Sequence, residues 1–160
     1  MTKLFLTGIT GLVGSAFTVA LLRERKDVEI ICLTRRNSAQ TARERVESII
    51  RDQCEFDGCP EAADMVLSRV SVIEGDVVDL DVEKVAADPA ARGADVIFHC
   101  AADVNLGKDP TGRTFRINYG GTENMLKLAK KWNVKAFHYV STAYTAGRNV
   151  GVAYEGPHPN

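Results

Sequence analysis

A glycine-rich turn between a short strand pattern and a helix pattern most restricts the fold of this sequence. The apolar segment Lys3–Thr7 has the pattern of a β-strand, and Leu12–Arg25 carries apolar residues at helical spacing. The turn between them holds Gly8, Gly11 and Gly14 in the pattern G-x-x-G-x-x-G. A strand that passes through such a turn into a helix indicates the start of a βαβ unit.

The alternation of strand and helix patterns continues along the chain. Further strands are predicted at Val28–Thr34, Val70–Glu74, Asp95–Cys100 and Lys135–Ser141, and helices at Ser38–Gln53 with Ser38 as its cap, at Leu80–Ala87 and at about Pro110–Trp132. Cys54–Pro60 has the composition of a loop, and the length of the connection from Arg36 to Arg69 predicts a second helical piece. Strands separated by helices pair in parallel through right-handed crossovers. The predicted fold is therefore α/β: a doubly wound parallel β-sheet of about five strands with flanking helices, the N-terminal portion of a Rossmann fold.

The composition of the chain indicates which kinds of binding partner to expect. The 160 residues carry a net charge of −1 and are 45% hydrophobic, which fits one globular domain that binds neither nucleic acid nor a membrane surface. No apolar run reaches the length of a membrane span and no signal-peptide pattern is present, so we expect a cytoplasmic protein. The four cysteines are expected to be reduced structural thiols. No histidine lies near Cys54 or Cys59, and we predict no metal.

The glycine turn is typical of a site for a dinucleotide pyrophosphate. Gly8 would allow the tight turn, Gly11 would let the backbone approach the phosphates, and Gly14 would let the helix pack on the strand. The start of the helix then presents free N–H groups and a positive dipole end to the anion. The predicted cofactor contacts in this turn are Gly8, Thr10, Gly11, Leu12, Val13 and Gly14.

The end of the second strand indicates which dinucleotide is bound. A domain that prefers NAD places a carboxylate about 20 residues after the glycine motif, where it holds the ribose 2′-hydroxyl. Counting from Gly14 reaches Thr34, which Arg35 and Arg36 follow. Guanidinium groups suit a 2′-phosphate because they form charge-assisted, often bidentate hydrogen bonds. The predicted cofactor is NADP(H), bound by Arg35 and Arg36.

Several segments together resemble the extended short-chain dehydrogenase/reductase superfamily. They are the T-G-x-x-G-x-x-G turn, Asp76-Val77, Cys100-Ala101-Ala102, the N-x-x-G-T element from Asn118 to Thr122, and Val140-Ser141-Thr142. The resemblance implies that Asp76 and Val77 flank the adenine, that Ala101 and Ala102 lie beside the ribose, and that Asn118 belongs to the cofactor site. It also implies that Ser141 lies beside the nicotinamide and that Thr142 is the catalytic hydroxyl.

Within that superfamily the sequence is most similar to the thioester reductase and fatty acyl-CoA reductase (male sterility) group. The cues are the segments 32–36, 99–105 and 141–144 and the long Arg- and Glu-containing helix after strand two. This resemblance implies NADP(H)-dependent reduction of an acyl thioester, on a carrier protein or coenzyme A, to an aldehyde or alcohol. It also implies a homodimer.

The proton-donating Tyr of the superfamily, with a Lys four residues later, has no match in this sequence. The residues four positions after Tyr119, Tyr139, Tyr144 and Tyr154 are Glu, Ala, Arg and His. Tyr144 is interpreted as structural. We expect the Tyr and Lys to lie beyond Asn160, so that residues 1–147 form the NADP-binding domain and 148–160 an unfinished loop toward a missing catalytic helix and substrate domain. The chain alone is then expected to be inactive.

Two alternatives share these patterns. One is an NAD(P)-dependent sugar-nucleotide epimerase or dehydratase, against which Arg35 and Arg36 count because epimerases usually prefer NAD. The other is a non-catalytic NADP(H)-sensing module, against which Thr142 in the catalytic position counts.

Overall fold

A parallel sheet of five strands forms the centre of the protein. The structure is a computed structural model that describes residues 1–105, 107–142, 150–152, 154 and 156. Its strands are β1 (Thr2–Thr7), β2 (Val28–Thr34), β3 (Val70–Glu74), β4 (Val96–His99) and β5 (Ala136–Tyr139), in the order β3-β2-β1-β4-β5. The predicted doubly wound α/β fold is confirmed. The strand order reverses between β1 and β4, which is where ligands bind in open α/β sheets.

Helices cover both faces of the sheet. They are α1 (Leu12–Glu24), α2 (Ala42–Phe56), α3 (Ala63–Leu67), α4 (Val82–Ala87), α5 (Arg113–Phe115), a π-helical turn (Arg116–Gly120) and α6 (Gly121–Trp132), with a 3₁₀ turn at Pro60–Ala62. Helices α1 to α3 share one core layer with the sheet, and α4 and α6 share the other. No helix in the part of the chain that the structure describes is long and apolar enough to cross a membrane.

The two core layers follow from the alternation of side chains along the central strands. Leu4 and Leu6 of β1 pack with α1, whereas Phe5 between them packs with α6, where its ring meets Trp132 edge-on at 5.0 Å. The run Val28–Thr34 alternates between the same two layers and is buried on both faces, as its near-continuous apolar sequence predicts.

Helix α2 begins three residues later than Ser38 would predict. Its cap is Thr41: the Thr41 hydroxyl accepts a hydrogen bond from the Glu44 N–H at 3.3 Å, and the Glu44 carboxylate accepts one from the Thr41 N–H at 2.8 Å. This reciprocal capping box satisfies two backbone donors, which a lone Ser at 38 does not do. Ser38 as the cap is therefore wrong. The predicted loop Cys54–Pro60 is also partly wrong, because α2 continues to Phe56, while the expected second helical piece is confirmed as α3.

The long helix predicted from Pro110 begins at Arg113 and is interrupted. Its backbone follows a π-helical turn at Arg116–Gly120 before α6 continues to Trp132, and Asn133 ends it in the left-handed conformation with φ 51°. The other predicted strands and helices are confirmed within one or two residues at each end. Of the predicted loop at 148–160, only Val150 to Val152, Tyr154 and Gly156 belong to the described residues.

Candidate functional site

A groove of about 330 Å³ opens at the carboxyl ends of the strands, between the turns after β1, β2, β3 and β4. Its volume falls at the lower end of the range of ligand sites, about 300–1,000 Å³. Eight residues predicted to contact a cofactor line it together: Gly8, Thr10, Gly11, Arg35, Asp76, Val77, Ala101 and Ala102. The structure thus brings residues from four separate turns to one cavity.

Two glycines of the turn after β1 occupy places that no larger residue could take. Gly8 has φ +81°, and a Cβ there would lie 2.7 Å from the Ala101 nitrogen. A Cβ on Gly14 would overlap the carbonyl group of Gly8. The turn, α1 and the turn after β4 are therefore packed backbone against backbone. Gly11 differs, because a Cβ there would make only an ordinary 3.4 Å contact with the Gly8 oxygen.

The N-terminus of α1 faces this turn without a side chain to satisfy it. Gly11 is the cap residue, no side chain of the described residues caps the helix, and its first turn contains no acidic residue. Leu12 and Val13 have exposed side chains, at 78% and 50%. The positive end of the 13-residue helix is thus available to an anion. A dinucleotide pyrophosphate fits this arrangement.

The basic residues near β2 differ from those predicted. Arg35 lines the groove and forms an ion pair with Asp76 at 3.2 Å. Arg36 is 68% exposed, stands outside the lining and approaches Glu74 at 3.8 Å. Arg45 of α2, and not Arg36, lines the groove beside Arg35. Its guanidinium donates a hydrogen bond to the backbone oxygen of Arg35.

Arg45 was not predicted as a cofactor contact, because it lies on a helix ten residues after Arg35 and reaches the groove only through the packing of α2 beside the end of β2. With Thr41 as the cap, Arg45 is the fourth residue of a helix that begins close to the end of β2. The capping box Thr41-x-x-Glu44 is the sequence signal that could have shown this.

His99, at the end of β4, is the centre of a buried polar chain. It is fully buried, and its Nδ1 lies 2.6 Å from the Thr7 hydroxyl and its Nε2 3.0 Å from the Thr122 hydroxyl. Burial lowers the pKa of His99 to about 4, so the ring is neutral near pH 7.

Asn118, within the π-helical turn, clamps the loop after β4. Its side-chain amide donates to the Asp103 backbone oxygen at 3.0 Å and accepts from the Asp103 N–H at 2.7 Å. Asp103 lines the groove and also lies 3.7 Å from the Arg113 guanidinium. Asn118 therefore acts on the wall of the groove through Asp103.

Ser141 and Thr142 follow β5 at the same edge of the sheet as the groove, and both side chains are exposed. They stand outside the residues that line the cavity. Tyr144 lies outside the described residues.

The remaining sequence predictions concern thiols and metals. The four cysteines are free, with Cys32, Cys54 and Cys59 buried and Cys100 half-buried. Burial raises the pKa of Cys32 to about 12 and those of Cys54 and Cys100 to about 11, which leaves these thiols protonated near pH 7. Within the described ranges, no three His, Cys, Asp or Glu side chains are grouped so that they could hold a metal ion.

Comparison with known proteins assigns the family. Residues 6–159 match an NAD-binding family described as "Male sterility protein". The chain belongs to this family. The family is an NAD-binding one, which supports a nicotinamide cofactor for this chain.

Three similar proteins show how the match extends. The chain is 36% identical over 148 residues to the nonribosomal peptide synthetase asaC of Aspergillus flavus. The aligned region covers 91% of this chain and 14% of the relative. The chain is also 30% identical over 146 residues to fatty acyl-CoA reductase 1 of Xenopus laevis, covering 89% and 28%. A thiolation-reductase di-domain from an archaeal non-ribosomal peptide synthetase superposes with a TM-score of 0.74 at 27% identity, covering 91% of this chain and 37% of that one. The chain thus spans less than a third of these two curated relatives.

Proposed function

We propose that this chain binds NADP(H) in the groove, as the cofactor-binding part of a reductase that converts an acyl thioester to an aldehyde or alcohol. The observation that carries the cofactor proposal is the position of Arg35 and Arg45 beside the uncapped N-terminus of α1. The family, and relatives named as a fatty acyl-CoA reductase and a thiolation-reductase di-domain, support a thioester on coenzyme A or on a carrier protein.

Each part of the dinucleotide has a proposed partner. The pyrophosphate would lie over Gly11 and the start of α1, where backbone N–H groups and the helix dipole favour a negative charge. The 2′-phosphate would lie between Arg35 and Arg45, next to Thr34, where NAD-preferring domains carry a carboxylate. By resemblance, Asp76 and Val77 would flank the adenine, and Ala101 and Ala102 the ribose beyond the pyrophosphate.

The chemistry is a hydride transfer to the thioester carbonyl carbon. When bound, NADPH would supply the hydride; the C–S bond would then break and release the thiol with a proton from solvent, which gives the aldehyde, and the alcohol would need a second NADPH. We propose that Thr142 donates a hydrogen bond to the substrate carbonyl oxygen, and that Ser141 lies beside the nicotinamide. Asp103, fixed by Asn118, would border the entrance for the acyl group. Since none of the tyrosines has a lysine four residues later, we assign no proton donor within these 160 residues and expect no turnover by the chain alone.

Other sequence predictions stay predictions. A cytoplasmic location, a homodimer, and the absence of nucleic-acid or membrane partners rest on composition and resemblance. No observation in the structure favours the epimerase or the sensing module over the reductase.

Calorimetric titration with NADPH and NADH tests the cofactor proposal. The chain should bind NADPH more tightly than NADH. Arg35→Ala and Arg45→Ala should each weaken NADPH binding about tenfold or more, the size of a lost charge-assisted hydrogen bond. Their NADH affinity should change less than about twofold, because NADH lacks the 2′-phosphate.

Arg51→Ala is the matched control. Arg51 belongs to the same helix as Arg45, but its partner is Asp64, at 2.8 Å, and it stands outside the groove. It should leave both affinities unchanged. Equal binding of the two nucleotides by the unaltered chain, or an equal loss of both in the Arg35 and Arg45 variants, would contradict the NADP(H) assignment.

A further inference from the structure

A continuous chain of hydrogen bonds links the turns that form the groove. The Ala101 N–H donates to the Thr7 hydroxyl at 3.3 Å, and that hydroxyl lies 2.6 Å from Nδ1 of His99. On the other side of the ring, Nε2 lies 3.0 Å from the Thr122 hydroxyl, which donates to the Asn118 backbone oxygen at 2.6 Å. The hydrogen-bond chain thus runs from the β4 turn through the end of β1 to the π-helical turn.

The partners decide the tautomer of the ring. The Thr122 hydroxyl has one hydrogen, which it gives to the Asn118 oxygen, so it can only accept from His99. Nε2 therefore carries the proton. Nδ1 is then an acceptor, and Thr7 donates to it while its oxygen accepts from the Ala101 N–H. With the opposite tautomer, Nε2 and the Asn118 backbone oxygen would both need the single hydrogen of the Thr122 hydroxyl.

We infer that His99, held as the neutral Nε2–H tautomer, is a positioning residue that fixes the groove's β4 turn and Asn118 against the glycine turn, and so sets how the nicotinamide half of the cofactor is held. The inference rests on the proposed binding of NADP(H). His99 itself stands outside the lining of the groove. It acts through residues that do form the site.

The turns around the groove are packed tightly, so a shift in the hydrogen bonds of His99 would move the residues that line the groove. Thr7 directly precedes Gly8, where even a Cβ would collide with the Ala101 nitrogen. Asn118, at the other end of the hydrogen-bond chain, holds Asp103 of the groove wall by two hydrogen bonds. In a Rossmann domain the adenosine ribose lies at the end of β2. The nicotinamide half of the dinucleotide, on the other side of the pyrophosphate, therefore lies beside the β4 turn that His99 holds.

Nitrogen NMR of the histidine ring tests the tautomer without any cofactor. In the ¹⁵N-labelled chain, His99 should show a protonated Nε2 and an unprotonated Nδ1 throughout about pH 5.5 to 8, the range in which an ordinary histidine changes charge. The opposite tautomer, or a titration midpoint near that of a free histidine, would overturn the inference.

A pair of variants at Thr122 tests the effect on the site. Thr122→Val keeps the shape but removes the acceptor for Nε2–H, whereas Thr122→Ser keeps the hydroxyl. We expect Thr122→Val to weaken NADPH binding about fivefold to tenfold, as one lost hydrogen bond would, and to change binding of adenosine 2′,5′-bisphosphate less than about twofold. Thr122→Ser should restore the NADPH affinity.

The two ligands separate positioning from general destabilisation. A folded Thr122→Val chain that binds both ligands equally less well, or both unchanged, would overturn the inference. If the unaltered chain binds neither ligand, the proposed function fails; the wrong tautomer overturns the inference alone.

Discussion

At the scale of single residues, the glycines of the turn after β1 have separable roles. A Cβ at Gly14 would overlap the Gly8 carbonyl, so Gly14→Ala must displace backbone. We expect it to lower the free energy of unfolding by about 1–3 kcal/mol or more, as overpacking does. Gly11→Ala meets only an ordinary contact and should cost less than about 1 kcal/mol, the difference between Gly and Ala at a helix cap. Its methyl group would nevertheless stand where the pyrophosphate is proposed, and NADPH affinity should fall about tenfold.

Denaturant unfolding and calorimetry measure the two effects on the same samples. Gly120→Ala is the control, because this helical glycine has φ −64° and no described atom lies within 4 Å of the place that its methyl group would take. It should leave the NADPH affinity unchanged and raise the free energy of unfolding by about 0.5–1 kcal/mol, the gain of alanine over glycine in a helix. A Gly11→Ala chain that binds NADPH normally would contradict the proposed path of the pyrophosphate.

Groove residues could be predicted from the sequence where they lie in a turn that directly connects a strand to the next helix. Gly8 and Arg35 follow strand ends directly, and Gly11 lies in the turn after β1, so local patterns place them. Arg45 and His99 were not assigned to the site, because their roles depend on contacts between separate elements. Arg45 reaches the groove from a helix, and His99 bonds Thr7 across two strands and Thr122 of α6.

At the scale of elements, the start of α2 offers a direct comparison of two candidate caps. Thr41→Ala removes the capping hydroxyl and should cost about 1 kcal/mol of stability. Ser38→Ala, at the cap predicted from the sequence, should change stability by less than about 0.5 kcal/mol, as most exposed substitutions do. Denaturant unfolding of both variants measures the difference. The reverse ranking would place the start of the helix at Ser38 after all.

Element boundaries went wrong where a longer-range contact decides them. The apolar spacing between Pro110 and Trp132 predicts one continuous helix. A π-helical turn inserts one extra residue, and the spacing of the apolar residues does not reveal this insertion. The π-helical turn holds Asn118, whose amide bonds Asp103 fifteen residues earlier. That contact belongs to the tertiary structure, and π-helical turns are frequent at functional sites.

At the scale of the whole molecule, the strand order explains why the site lies where it does. Connections run outward from β1 to β2 and β3, then return to β4 and β5, which opens a crevice at the reversal. Alternating patterns were enough to predict this class of sheet, since each strand and helix is locally encoded. The domain boundary at residue 147 stays a prediction, because residues 143–149 lie outside the described ones.

We propose that α1, Arg35 and Arg45 together hold NADP(H) in this groove. A crystal structure of the chain grown with NADP⁺ would show the bound nucleotide itself. We expect the pyrophosphate at the N-terminus of α1 and the 2′-phosphate in contact with Arg35 and Arg45, with the ion pair between Arg35 and Asp76 rearranged. Nucleotide bound elsewhere on the chain, or a 2′-phosphate that touches neither arginine, would contradict it.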